Sequence, residues 1–410
     1  MPRFPQLQIP SLKLEITENQ DNNSDMVVTH DTSLSIMPSI SPGHWEQLYD
    51  CVEVIEIYVG SGNKDGAQVT LMLDGERLAI TLISSTSVER NTKVCEADTE
   101  GWQANDRSIC LFCRSVSTED YEEQLVLEDE ALEPILVAIK SSKPSIVTPI
   151  SKTLNQTSQI LDLHDLLFPK TSYYRLEARG ARHTLVPIDD SEAYGRTYGE
   201  KIDTDDPFGG NNVKAEVDAS LPQYTPEQIQ VLHELVSGGG TVCHVRVGNQ
   251  DMLCKARHDG LNSPSLEREA NCLLNLSSAL PDLSAIRVPA LLGYVKHPGS
   301  NAVLGILREW VSSDSSLGEL EKRNFDGVSK ERREKWGHQI TQTVGQLHTF
   351  GVAWGDAKPD NVVIDLNDDA WLIDFGGGWT HGWVDAALQG TIHGDNQALE
   401  KMVGLLRASS

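Results

Sequence analysis

Two polar motifs at a fixed separation constrain this chain more than anything else in it. The first is WGDAKPDN at 354–361, in which Asn361 follows Asp356 by five residues; the second is Asp374-Phe375-Gly376, and Asp374 follows Asp356 by 18 residues. Between them the apolar runs NVVIDL and AWLID flank residues 367–369, the pattern of two short strands joined by a tight turn. Ahead of them, KERREKWGHQITQTVGQLHTFGV spaces its apolar residues for one face of a long helix, with Gly351 as its stop. A lone Asp-Phe-Gly means little. At this offset from D-x-K-P-x-N, behind a helix and across a hairpin, it is far more specific.

The chain upstream extends the pattern. TVCHVRVGNQDMLCKA reads as two strands around a Gly248-Asn249 turn, with Lys255 at the end of the second. SPSLEREANCLLNLSSAL reads as a helix with Pro264 in its first turn and Leu266, Ala270, Leu273, Leu274 and Leu276 on its apolar side. That helix carries Glu269, 14 residues beyond Lys255. VLGILREWV reads as a strand, and TPEQIQVLHELV as helical or extended, with Thr225 and Glu227 suited to a cap. In SGGGTVCHV, Gly238, Gly239 and Gly240 precede a strand; their backbone amides suit a phosphate cradle and an ordinary hairpin turn equally.

Helix, D-x-K-P-x-N loop, hairpin and DFG loop together resemble, spacing included, the core of the protein-kinase-like superfamily over residues 225–410. The layout is also similar to a group of fungal kinase-like proteins. The resemblance implies ATP and Mg2+ as cofactors, because a transferring phosphoryl group spreads negative charge and needs metal and cations more than covalent help. It implies that Asp374 and Asn361 hold magnesium, that Asp356 orients and deprotonates the attacking hydroxyl, and that Lys358 reaches the transferring phosphate. By the same resemblance Lys255 and Glu269 form the ion pair on the nucleotide phosphates, with Glu267 as the alternative to Glu269. REWV, with Glu309 and Val311, resembles the hinge whose backbone holds adenine, and Asp395 the buried aspartate that anchors the catalytic loop. A rival lysine, Lys140, ends a literal VAIK at 137–140. It is followed by SSKPSIVTP rather than an acidic helix, and it lies 216 residues before Asp356.

The departures are also informative. Trp354 and Gly355 stand where the family has His and Arg, and Gly-Asp resembles aminoglycoside and choline phosphotransferases, whereas Lys358-Pro359 is closer to protein kinases. G-x-G-x-x-G is absent from the glycine run, no Ala-Pro-Glu follows DFG, and only 21 residues separate Asp374 from Asp395. With Gly355 in place of arginine, the expectation is that no guanidinium stands beside Asp356 to pair with a phosphate. Activity is then expected to be independent of phosphorylation at Thr380 or Thr391.

Residues 1–42 are polar and read as a disordered leader, and 201–224 as a polar linker. Residues 43–200 read as a β-rich domain, from VEVIEIYVG, QVTLML, RLAITLI, ICLFCRSV, QLVLE, ILVAIK and YYRLEA, with an Asp74-Gly75 hairpin turn. On a strand Cys110 and Cys113 would point to opposite faces, which suits buried structural cysteines better than zinc ligands. A formal net charge of −26 and a pI near 4.8 argue against nucleic acid and anionic membrane as partners. MPRFPQLQIP lacks the apolar run of a signal peptide, and no stretch approaches the ~18 apolar residues of a membrane span. An intracellular, cytoplasmic protein is expected.

The expected fold class is α+β: a bilobal protein-kinase-like domain with a truncated C-lobe, preceded by a β-rich N-terminal domain. The expected activity is ATP- and Mg-dependent phosphotransfer to a hydroxyl acceptor, a small molecule or a protein, with a further protein partner for the β-rich domain. Two alternatives stand beside it. One is a pseudokinase acting as a nucleotide-binding or protein-interaction module; the other is a small-molecule kinase of the aminoglycoside or choline type.

Overall fold

The computed structural model describes residues 12–18, 24–30, 52–59, 66–73, 75–84, 99–118, 121–142, 161–179, 182–194, 217–236, 240–259, 261, 263–280, 286–300, 302–378, 380 and 382–408. These form three sheets and seven α-helices, a mixed architecture compatible with a kinase-like fold.

In the first sheet β1 (Leu12–Glu18), β2 (Ser24–His30), β3 (Val52–Val59), β4 (Gly66–Leu73), β5 (Glu76–Ile83), β6 (Thr171–Arg179) and β7 (Arg182–Pro187) lie side by side in chain order. The β5–β6 pair is parallel. A parallel pair needs a long crossover, and helices α1 (Thr99–Ser117) and α2 (Tyr121–Ser142) lie within it. Several expectations are corrected here. ICLFCRSV, QLVLE and ILVAIK are helical, so residues 43–200 mix helix and strand. Short apolar runs fit either period, and tertiary packing decides. Phe112 of α1 and Leu127, Ala131, Leu132, Ile135, Leu136 and Ile139 of α2 recur at helical spacing against Val69, Leu71, Leu78, Ile80 and Leu82 of the sheet. Cys110 and Cys113 are accordingly exposed, one helical turn apart, and Lys140 sits in the last turn of α2 rather than on a strand. β1 and β2 lie within the expected disordered leader.

The second sheet contains β8 (Gln223–Tyr224), β9 (Gln230–Val236), β10 (Gly240–Val247), β11 (Gln250–Arg257), β12 (Leu291–Lys296) and β13 (Val303–Glu309), in the order β8-β12-β13-β11-β10-β9. β10 and β11 form the expected hairpin, with Gly248 at φ 60° in its turn. Strand alternation puts Val242, His244, Leu253 and Lys255 on one face and Cys243, Val245, Met252, Cys254 and Ala256 on the other. The second face is covered by α3 (Leu163–Leu167), whose Leu163 and Leu167 are fully buried against it.

Backbone bonds seal that contact: Leu163 N to Ile229 O at 2.9 Å, Val231 N to Leu161 O at 2.9 Å and Asp259 N to Leu167 O at 2.7 Å. Arg77 of β5 adds a bond from Nη1 to the Asp259 carbonyl at 3.0 Å. Residues assigned from sequence to a separate domain therefore complete the core of the second sheet. Of the expected linker, residues 217–224 are described and belong to the fold, and 201–216 lie outside the described residues. Val217 and Leu221 pack on the main core, and β8 pairs with β12.

The rest of the chain is mainly helical: α4 (Pro264–Ala279), β14 (Ser313–Ser316), α5 (Leu317–Lys322), α6 (Lys330–Thr349), β15 (Val362–Asp365), β16 (Ala370–Leu372) and α7 (Ile392–Ala408). Ser263 caps α4 ahead of Pro264, and Ser329 caps α6, which gives way to Gly351 at φ 71°. Leu266, Ala270 and Leu273 of α4, Trp336, Ile340, Val344 and Leu347 of α6, and Ala398, Met402 and Leu406 of α7 share one core with Trp354 and Phe375. Each large side chain buried there contributes roughly 1.5–3 kcal/mol. Among the described residues no helix is long and apolar enough to cross a membrane.

Candidate active site

The loop between α6 and β15 is held from below by one buried carboxylate. Asp395, in the first turn of α7, accepts hydrogen bonds from Trp354 N at 2.7 Å and Gly355 N at 2.8 Å, and lies 2.9 Å from His348 Nε2. Trp354 contributes its indole as well. Its Nε1–H donates to the Ile373 carbonyl at 2.9 Å, tying this loop to the residue before Asp374. The β15–β16 hairpin then returns the chain, so that Asn361 and Asp374 flank the same pair of strands.

Around Asp356 the polar groups interlock. Lys358 Nζ lies 2.7 Å from its Oδ2, Thr380 Oγ1 donates to its Oδ1 at 3.0 Å, and Asn361 Nδ2 donates to its backbone carbonyl at 2.9 Å. Lys358 also donates to Thr380 Oγ1 at 3.1 Å. The amide nitrogen of Asn361 is thus committed to Asp356, which leaves its carbonyl oxygen to act as a ligand. Thr380 is buried with its hydroxyl engaged by both partners. Its position six residues past Asp374 carries no signal in a single sequence, and its part in the site was missed there.

The second cluster centres on Lys255, which lies within β11 rather than at its end. Its Nζ is 3.0 Å from Glu269 Oε2 and 2.9 Å from Asp374 Oδ1. Glu269, not Glu267, makes this contact, because residue 269 shares the buried face of α4 with Leu266 and Ala270. Arg308 of β13 stands 3.5 Å from the other oxygen of Glu269, so two cations face one buried carboxylate. Burial pushes the Asp374 carboxyl up, but Lys255 and then Lys358 outweigh it and hold the group below its ordinary value.

Asp374 sits at φ 60°, a left-handed conformation costing an L-residue about 1–2 kcal/mol. Phe375, buried to 1% exposure in the main core, offsets that strain with roughly 1.5–3 kcal/mol. Gly376 is needed for the close approach, since a Cβ there would stand 2.9 Å from Ser265 Cβ and 3.1 Å from Lys255 Nζ.

Glu309 ends β13, and its amide donates to the Ala290 carbonyl at 2.9 Å. Val311 follows beyond the strand. Trp310 between them stacks on His244 with ring centroids 3.9 Å apart and planes at 6°, fixing this segment to β10. Gly238 and Gly239 lie outside the described residues, whereas Gly240 begins β10. A Cβ on Gly240 would meet the Ala256 carbonyl at 2.7 Å, so this glycine serves strand packing.

A guanidinium does pack against Gly355 itself, that of Arg268 on α4, while the printed partners of the Asp356 carboxylate are Lys358, Asn361 and Thr380. Arg268 lies 87 residues upstream of Gly355, so no local pattern links the two.

Compared with known proteins, the chain matches no family model. It is 28% identical over 156 residues to the Oryza sativa subsp. japonica protein described as "Putative cyclin-dependent kinase F-2". The match covers 37% of this chain and 47% of the rice protein, so the chain spans about half the length of that relative. The similarity supports a protein-kinase-like relationship.

Proposed function

We propose that residues 217–408 form a phosphotransferase site that uses ATP and magnesium and acts on a hydroxyl acceptor. The observation that carries the reading is the convergence of two clusters, Lys255–Glu269–Asp374 and Asp356–Lys358–Asn361, from four separate segments of the chain. Magnesium prefers oxygen ligands and takes few of them from protein. Asp374, kept ionised by two lysines, and the carbonyl oxygen of Asn361 fit that preference. When bound, the ion would offset the negative charge on the phosphate oxygens.

The chain's own groups divide the remaining work. Lys255 leaves Asp374 for the nucleotide phosphates while Glu269 keeps it aimed. Asp356 orients the acceptor hydroxyl and takes its proton, and Thr380 holds the carboxylate in place for that transfer. Lys358 balances charge on the group being transferred. Glu309 and Val311 belong to the segment proposed to hold adenine. The acceptor is a small molecule, or a protein recruited through the seven-stranded sheet and its helices.

Mg-ATP should raise the melting temperature of the wild type and transfer label to an acceptor in a metabolite pool. Asp374→Asn should lose the Mg-dependent shift. Asp356→Asn should keep the shift and lose transfer, because a base is needed only for chemistry. Lys255→Met should weaken nucleotide binding, and Lys140→Met should not. Equal stabilisation of wild type and Asp374→Asn by Mg-ATP would refute the metal assignment. A shift in the wild type without any transfer would favour the nucleotide-binding module.

A further inference from the structure

Arg268 neighbours Glu269 on α4, yet it faces a different part of the molecule. Its half-buried guanidinium is pressed against three glycines from three segments: Gly355 before Asp356, Gly377 after the DFG triplet, and Gly390 before α7. A Cβ on Gly355 or on Gly377 would stand 2.8 Å from Arg268 Cζ and closer still to Nη2 or Nη1 respectively, and one on Gly390 would lie 3.4 Å from Nη1. All three glycines have positive φ, at 92°, 75° and 68°. The cradle therefore depends on bare backbone at the Gly355 and Gly377 walls, whereas a Cβ at Gly390 would make ordinary contact. The positive charge of Arg268 acts on the Cys272 thiol of its own helix.

We infer that Arg268 is a positioning residue that clamps α4 to the catalytic and metal loops, filling from the helix the place left by Gly355. This deepens the phosphotransfer reading and rests on it. The physical argument is one of rigid coupling. α4 carries Glu269, which holds Lys255, which lies on Asp374. A planar cation wedged between the backbones of residues 355, 377 and 390 lets α4 swing outward only if all three segments move with it. The chain thereby holds its site assembled without a phosphate on the segment after DFG. The cradle is sized for a guanidinium, since a side chain at Gly355 or Gly377 would occupy the same space.

Hydrogen exchange of the full chain without nucleotide tests this independently of activity. Arg268→Ala should speed exchange at least about ten-fold in 264–279 and in 374–378 together, leaving 336–347 of α6 unchanged. Millimolar methylguanidinium should restore protection in both segments, whereas methylurea or the same concentration of sodium chloride should not. Arg268→Met separates the cation from the stem: wild-type protection in that variant would overturn the proposal, as would failure of methylguanidinium to rescue Arg268→Ala.

Kinetics supply the second arm. Arg268→Ala should lower kcat and raise the KM for nucleotide, because a loosened α4 no longer holds Glu269 on Lys255. If exchange behaves as stated but wild-type protein neither binds nor turns over Mg-ATP, the clamp stands and the phosphotransfer reading falls. If the wild type is active and Arg268→Ala matches it in exchange and kcat, the clamp is wrong and the reading survives.

Discussion

Replacing Asp395 should release the loop that carries Asp356. The carboxylate is 2% exposed and accepts two backbone N–H groups, from Trp354 at 2.7 Å and from Gly355 at 2.8 Å. Bonds to a charged acceptor contribute ~1.5–3 kcal/mol each, and a buried donor left without a partner costs a similar amount. Asp395→Ala removes both acceptors at once, so the expected loss is about 3–6 kcal/mol. Asp395→Asn retains one oxygen and turns its amide nitrogen toward the other donor, so roughly half that loss is expected.

Whole-chain melting reports the loss summed over the molecule and does not locate it at this loop. Amide exchange at Trp354 and Gly355 is direct. At 1.4 kcal/mol per decade, a 3 kcal/mol loss speeds exchange roughly a hundred-fold in Asp395→Ala, with protection in α6 retained. The reasoning fails if these two amides exchange within about three-fold of wild type, or if Asp395→Asn exchanges faster than Asp395→Ala.

Three further outcomes follow from the same geometry. Thr380→Val keeps shape but removes the hydroxyl between Asp356 and Lys358; transfer should drop about ten-fold, as for one lost charge-assisted bond, while Thr391→Ala stays within a few-fold. The hydroxyl itself, not its phosphorylation, is what the site then requires, and equal rates for Thr380→Val and wild type would refute this. Burial, and then the positive charge of Arg77, push His258 down to about 3 from its ordinary 6.5. Between those values the unfolded chain binds a proton that the fold excludes, so stability rises with pH across that window and falls in acid. His258→Leu should flatten the slope of urea stability between about pH 4 and 6 by up to ~1.4 kcal/mol per pH unit, and an unchanged slope would count against this assignment. A fragment of residues 217–410 loses Leu163, Leu167 and Phe168 from the outer face of the second sheet. It should aggregate or bind a hydrophobic dye, with about 3–6 kcal/mol of burial forfeited by the two leucines. A soluble fragment with the full chain's urea midpoint would refute that.

By itself the sequence determined what is local. The D-x-K-P-x-N and DFG spacing, the β10–β11 turn at Gly248, the Pro264 start of α4 and the Gly351 stop of α6 each depend on a few adjacent residues whose φ or periodicity admits few alternatives. Lys255 and Glu269 were legible for the same reason, as one strand and one helix at short separation. Tertiary structure decided everything that a neighbour in space must settle. ICLFCRSV and ILVAIK carry apolar residues that fit either period, and they became helices because a sheet face built from β3 to β6 was there to be covered. Residues 161–168 looked like part of a separate domain until their leucines met the outer face of β10 and β11. Thr380 and Arg268 have no local signature at all. Their roles arise only where the chain folds back, a hydroxyl between Asp356 and Lys358 and a guanidinium against three bare backbones, because proximity across many residues is a property of packing and leaves no mark on the residues next door.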